Sequence, residues 1–344
     1  SDAATDTITV TLTSGASASA THAGLSSAGG TVGVTGVNAT ALTDASVAVS
    51  ATATDLAGNV SAAATATTTK DTVAPAAPTA VAISNGGGTG SAYINIANKG
   101  SVNYGVTIPA NAGNATTDTV AVSLTSGTVV SGTVAGPGAA GGSVTVGALN
   151  ATGLTDGPVA VSATSTDLAG NVSTAKTGTT TKDTVAPTLV TAVSVQGSGG
   201  TSGKMESGDA LNLTFSEALA PTSVPGTTTV TESRTGGVLG GGGSSTLSMN
   251  GVIQSSPISI DNSYLNLGLL GTSVQGTATG AITLTNSNTT VSILLGTVTP
   301  SGGGIGGGLA AGSAAVTVSP VAAITDLAGN PAVTTSTATV TRLF

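Results

Sequence analysis

Residues 38–61 read NATALTDASVAVSATATDLAGNVS, and residues 150–173 read NATGLTDGPVAVSATSTDLAGNVS. Within the first, Val47–Thr54 (VAVSATAT) alternates apolar with small polar residues. That period of two puts one face of a strand on a core and the other in water. The next five residues, Asp55-Leu56-Ala57-Gly58-Asn59, carry Asp first and Gly fourth. This suits a type I turn closed by a left-handed residue. Asp accepts hydrogen bonds from the turn's own amides, and Gly takes a positive φ without a Cβ clash. A second strand is expected over 60–69, so the stretch reads as a β-hairpin.

Working outward, Asp6–Pro75 matches Asp118–Pro187 at a constant offset of 112 residues without a gap. Roughly two thirds of the positions are identical, the mark of an array of repeats. DTITVTLTSG at 6–15 faces DTVAVSLTSG at 118–127, with Ile8, Val10 and Leu12 alternating with Thr. Both copies end on TTTKDTVAP. There the proline removes a donor and holds the preceding Ala extended, which predicts a short, stiff linker. A third TDLAGN, Thr325–Asn330, precedes another Thr-rich stretch, Val333–Thr341, read as a last strand. Boundaries therefore fall near Pro75 and Pro187, giving units 1–75, 76–187 and a longer, diverged 188–344 with glycine-rich inserts at Gly240–Gly243 and Gly302–Gly308. Residues 76–112 hold the strand-like VAI (Val81–Ile83) and VNYGVTI (Val102–Ile108), and they have no counterpart before Asp6. The first unit thus reads as an incomplete copy. Either its first strands lie outside this window of a longer array, or a neighbouring subunit supplies them.

Composition narrows the function. The chain has 344 residues, 39% hydrophobic, 6% charged and 1% aromatic, so its core must be Val, Ile, Leu and Ala. Net charge is −8 with seven Lys plus Arg, too few for the basic face that nucleic acid requires. No apolar run approaches the ~20 residues of a membrane span. No signal-peptide pattern precedes Ser1, so any such leader has been removed or lies outside the window. With no Cys and one His, nucleophile–base pairs cannot be built. His22 aligns with Val134 and reads as a loop or surface residue. Glu206, Asp209 and Glu217 flank the strand-like SGDALNLTFSEAL (Ser207–Leu219), which explains them better than a glycosidase carboxylate pair. Lys99, Lys176 and Lys204 are candidates for an isopeptide bond, but no Lys is read as repeated with a partnered acid. No catalytic residue is expected.

The DLAGN turn, the KDTVAP junction and SGDALNLTFSEAL together resemble the bacterial Ig-like repeats of large surface proteins, adhesins and S-layer or extracellular filament components. The resemblance implies an all-β fold of tandem immunoglobulin-like β-sandwich domains in an elongated array. It also implies an extracellular or bacterial cell-surface location and Ca²⁺ at domain junctions. Nine of the fifteen acids sit on repeated positions: Asp6/Asp118, Asp44/Asp156, Asp55/Asp167/Asp326 and Asp71/Asp183. Ca²⁺ takes six to eight hard oxygen ligands, which Asp and backbone carbonyls supply. The candidate metal residues are Asp44, Asp55, Asp71, Asp156, Asp167, Asp183 and Asp326, with linker Asp71 grouped with Asp44 and Asp55. The alternative is that each Asp caps its own turn and no metal binds. Residues 262–325 carry no charge and read as a packing surface between subunits. Two functions follow. One is a structural subunit of a filament, sheath or S-layer that self-associates into a polymer or lattice through β-edges. The other is the stalk of a large adhesin that contacts host or cell-surface glycan or protein.

Overall fold

The computed structural model describes residues 6–24, 30–200, 206–235, 244–259, 274–301 and 315–340. The chain is all-β. In the first repeat copy, β1 (Thr7–Ser14), β2 (Ala16–Ala23), β3 (Ala45–Thr54) and β4 (Ala64–Lys70) form one antiparallel sheet ordered β2-β1-β3-β4. Its register sets Leu12 opposite Val49 and Val10 opposite Ala51, so the apolar residues share one face.

The second copy forms more strands than the described residues of the first. Its elements are β5 (Ala80–Ile83), β6 (Tyr93–Ile94), β7 (Val102–Ile108), β8 (Thr119–Ser126), β9 (Thr128–Ala135), β10 (Gly142–Leu149), β11 (Gly157–Thr166) and β12 (Lys176–Lys182). They make a three-stranded sheet, β10-β7-β5, and a five-stranded sheet, β6-β12-β11-β8-β9. Val102, Tyr104, Val106 and Ile108 from the first interleave with Val120, Val122, Leu124, Val159 and Val161 from the second, all at most 3% exposed. Two sheets burying one face each against the other make a β-sandwich.

The last segment holds β13 (Leu189–Val195), β14 (Ala210–Phe215), β15 (Thr227–Thr235), β16 (Ser244–Met249), β17 (Ile253–Ser259), β18 (Val274–Thr285), β19 (Thr290–Ser301), β20 (Ala315–Val318) and β21 (Ala338–Val340). They join in one nine-stranded sheet, β13-β14-β19-β18-β15-β16-β17-β20-β21. The sheet curls until its ends meet: Leu189 N donates to Ser336 Oγ at 3.0 Å, and Val333 N donates to Pro187 O at 2.9 Å. Leu211, Leu213, Phe215, Val230, Met249, Ile293 and Leu295 fill the interior. The last strand is shorter than the expected Val333–Thr341, because the Val333 amide is spent on the linker. The described part of the uncharged stretch, 274–301 and 315–325, is largely the pair β18–β19 and strand β20 inside this sheet, with Ala278, Ile282, Val291, Ile293 and Val318 buried. One face of that pair is therefore core. Residues 260–273, 302–314 and both glycine-rich inserts lie outside the described residues.

The DLAGN turn forms as its chemistry predicts. Gly58 N donates to Asp55 O at 3.0 Å, Asp55 N donates to Asn59 O at 3.0 Å, and Gly58 takes φ +89°. Strand β4 begins at Ala64 rather than Val60. The amide of Ala53 is taken by Ser61 Oγ at 3.0 Å, which interrupts the ladder.

Candidate metal centre at the repeat junctions

Each repeated Asp has a definite local task. Asp55 accepts from Asn59 N and Asn59 Nδ2, both at 2.8 Å, and Asp167 and Asp326 hold Asn171 and Asn330 in the same way. The Asn59 side chain first, then its amide, holds the Asp55 carboxyl below the usual range, and Asn171 does this for Asp167. Asp44 accepts from Thr72 Oγ1 at 2.6 Å, Thr72 N at 2.9 Å and Lys70 Nζ at 3.1 Å. Its pKa falls to about 2, chiefly through the Thr72 hydroxyl. Asp156 repeats the arrangement with Thr184 N at 3.0 Å and Lys182 Nζ at 2.8 Å, while buried Lys182 also donates to Leu154 O at 2.6 Å. Burial pulls the Asp156 carboxyl up, but the bonds from Lys182 and Thr184 together outweigh it and the net direction is down.

Two sequence expectations change here. A lysine is in fact repeated with a partnered acid: Lys70 with Asp44, and Lys182 with Asp156. The partners are distant in sequence, and the hairpins β3–β4 and β11–β12 bring them together. The grouping of Asp71 with Asp44 and Asp55 does not form. Asp44 and Asp55 flank the ten residues of β3, and at ~3.3 Å per residue over the steps between them they stand roughly 36 Å apart.

What meets each linker is the hairpin of the following repeat. Asn171 Nδ2 donates to Asp71 O at 3.2 Å across the first junction. Asn330 Nδ2 donates to Asp183 O at 3.0 Å and to Val185 O at 3.3 Å across the second. Each KDT linker is thus gripped from behind by Asp44 or Asp156 and from ahead by Asn171 or Asn330.

At the second junction this grip brings three carboxylates together. Asp183, Glu217 and Asp326 each place an oxygen within 4.8 Å of the other two. Asp326 is 1% exposed, and Glu217 Oε1 is buried without a hydrogen-bond partner. Burial first, then the charges of Asp183 and Asp326, push Glu217 up to about 7. Burial, reinforced by Asp326 and Asp156, also raises Asp183. Among the described residues no cation is salt-bridged to any of the three. Such a cluster costs free energy unless protons or a metal neutralise it. Three carboxylates offer up to six hard oxygens, a donor set that fits Ca²⁺.

Of the seven sequence candidates, Asp183 and Asp326 enter this cluster. Asp44, Asp156, Asp55 and Asp167 serve as clamps, and Asp71 Oδ1 accepts from Val73 N at 3.0 Å. Sequence reading missed Glu217, which it assigned to a strand. The signal was its place two residues after β14 ends at Phe215. In the second copy β7 ends at Ile108 and is followed by Pro109-Ala110-Asn111, with no carboxylate to complete the first junction. Glu206 and Asp209 do not join it. Asp209 lies at the far end of β14, where it accepts from Gly197 N at 2.8 Å and Glu206 N at 2.7 Å. His22 is exposed on edge strand β2. No helix among the described residues is long and apolar enough to cross a membrane.

No protein-family model matches the chain, and no curated protein matches it. Among solved structures, a Ca²⁺-stabilised adhesin that helps an Antarctic bacterium reach out and bind ice is similar over 99% of this chain and 90% of its own, at 16% identity and a TM-score of 0.36. A tetra-tandem repeat from the extending region of a large adhesion protein is similar over 88% of this chain and 68% of its own, at 19% identity and a TM-score of 0.26. A 1.5-MDa bacterial ice-binding adhesin is similar over 84% of this chain and 86% of its own, at 18% identity and a TM-score of 0.26.

Proposed function

We propose that this chain is a stretch of the stalk of a large bacterial surface adhesin, an extracellular spacer whose role is mechanical rather than catalytic. In this reading residues 1–75, 76–187 and 188–344 are successive units, the first an incomplete copy. The observation that carries it is the double grip on each linker. A joint whose short connector is hydrogen-bonded by both neighbours resists bending, and stiff joints in series make reach. Asp183, Glu217 and Asp326 would hold a Ca²⁺ ion at the second junction, where its charge offsets theirs and ties linker to following unit.

Scattering and imaging of the purified chain test the proposal. Monodisperse rods roughly 100 Å long, three strand-lengths of about 33 Å each, support the stalk. Ordered polymers would favour the filament, sheath or S-layer reading instead. A calcium titration followed by thermal unfolding tests the metal. A melting temperature that chelation leaves unmoved would remove Ca²⁺ from the account.

A further inference from the structure

The sequence contains seven Asn-x-Ser/Thr triplets, at Asn38, Asn59, Asn114, Asn150, Asn171, Asn212 and Asn288. An enzyme that links sugar to an asparagine nitrogen needs such a triplet on a surface it can reach. The fold divides the seven into two groups.

Five triplets are closed. Asn59 Nδ2 donates to Asp55 Oδ2 at 2.8 Å, so it is spent on the DLAGN turn. Asn171 Nδ2 donates to Asp167 Oδ2 at 2.9 Å and to Asp71 O at 3.2 Å, which ties it to both turn and linker. Asn114 is 6% exposed, and its Nδ2 donates to Pro109 O at 3.0 Å. Asn212 lies within β14 with its Oδ1 buried. Asn288 fails at its third residue: Thr290 is 4% exposed, and its hydroxyl accepts from Asn286 Nδ2 at 3.1 Å.

Asn38 and Asn150 are open. They are one position in the two copies, and both read Asn-Ala-Thr. Each is exposed, and each Oδ1 accepts from the Thr two residues on: from Thr40 N at 3.1 Å and Thr40 Oγ1 at 2.6 Å, and from Thr152 N at 3.1 Å and Thr152 Oγ1. Among the described residues nothing accepts from either Nδ2. The turns are anchored from beneath. Leu42 and Leu154 are buried, and Lys70 Nζ and Lys182 Nζ donate to their carbonyls, each at 2.6 Å. Asn150 belongs to the two-sheet sandwich, where Ala151 N donates to Lys99 O at 2.8 Å, so its exposure is not a matter of missing cover. An amide nitrogen is a weak nucleophile, because its lone pair is shared with the carbonyl. Two donors on Oδ1 stabilise the negative charge that gathers there as Nδ2 gives up a proton, which strengthens the nitrogen.

We infer that Asn38 and Asn150 are acceptor sites for N-linked sugar, one on each repeat copy, and that the fold withholds the other five triplets. The donor class is a sugar carrying a diphosphate on its anomeric carbon. Nδ2 bonds to that carbon, the bond from the carbon to the diphosphate oxygen breaks, and the diphosphate leaves with the electron pair. One Nδ2 proton passes to a base of the transferase, and the asparagine keeps the other. The inference goes beyond the stalk reading and does not rest on it, since a filament subunit would carry the same two turns.

The folded full chain is tested in two arms with transferases of Asn-x-Ser/Thr specificity. One arm pairs a soluble enzyme with UDP-glucose, the other a membrane enzyme with an oligosaccharide on a lipid diphosphate. Peptide mass spectrometry reads the occupancy of every triplet. Short peptides around all seven run alongside, because no fold restrains them. In the folded chain, Asn38 and Asn150 should fill roughly tenfold or more ahead of the other five, and the peptides should lose that preference. The arm that succeeds tells a nucleotide-linked donor from a lipid-linked one. The double variant Asn38→Gln, Asn150→Gln should stay unmodified. Empty Asn38 and Asn150 in both arms, while their peptides accept sugar, overturn the inference. So does equal filling of the closed triplets in the folded chain, or a preference that the peptides share, since sequence rather than fold would then choose the site.

Discussion

At the scale of single residues, Glu217 and Lys182 show opposite solutions to a charge in a dry place. Lys182 is 5% exposed and is met by Asp156 and a backbone carbonyl. Replacing Asp156 with Ala strands that ammonium, and chemical denaturation should show a loss of about 2 kcal/mol, less than for a fully buried pair because Asp156 keeps some solvent. The matching Asp44→Ala should cost less, since Lys70 is more exposed. Glu217 has no such partner, only two more carboxylates. Glu217→Gln should therefore raise the melting temperature in chelator and abolish the rise produced by calcium. The Asp clamps were half legible in the sequence: turn chemistry announced Asp55 and Asp167, whereas the Lys–Asp pairs depend on hairpin closure over a separation that no local pattern reports. Glu217 was illegible for a further reason. Its partners come from a linker and from a hairpin about a hundred residues away, and no other copy has a carboxylate there to mark it.

At the scale of elements, the DLAGN hairpin recurs with three environments for one sequence, which makes it an internal control. Gly58 and Gly329 both hold positive φ, at 89° and 84°. An added Cβ at Gly58 meets open space, whereas at Gly329 it meets Gly88 N at 2.9 Å. Gly58→Ala should cost about 1 kcal/mol for the left-handed backbone alone. Gly329→Ala should cost more and loosen the second junction, seen as greater segmental motion in NMR relaxation. Asn59→Ala, Asn171→Ala and Asn330→Ala should each weaken a turn by about 1 kcal/mol, but only the last two should soften a joint. The hairpin itself was plain from alternation and turn residues. The face it serves was not, because nothing in DLAGN says whether the tip meets its own linker or the preceding one. The curled nine-stranded sheet of the last segment was equally hidden, since its pairing order links strands far apart in sequence.

At the scale of the whole molecule, pH and calcium should act on the same joint. Glu217 titrates near 7 when folded, against an ordinary value of 4.5. A raised carboxyl binds its proton more tightly in the folded state, so its favourable contribution is complete at low pH and is lost as pH rises through about 7. Asp183 acts in the same direction. Without divalent ions, the last unit should melt at progressively lower temperature from about pH 5 to about pH 7.5, and saturating calcium should flatten the trend. Asp44 has the opposite sign. Its carboxyl is depressed to about 2, so its contribution is present above the ordinary carboxylate range and fades only in strong acid.

The placement of the clamps also bears on how such a chain can change in length. Each linker is held by an Asp of the unit before it and an Asn of the unit after it, and the first two copies repeat at 112 residues. Both halves of the device are therefore carried within a single period. A duplication or deletion of one whole period leaves every remaining clamp with a matching jaw, and no joint senses anything beyond its two neighbours. Genetic exchange in whole periods can lengthen or shorten the molecule without redesigning a contact, while any other step leaves a jaw closing on nothing.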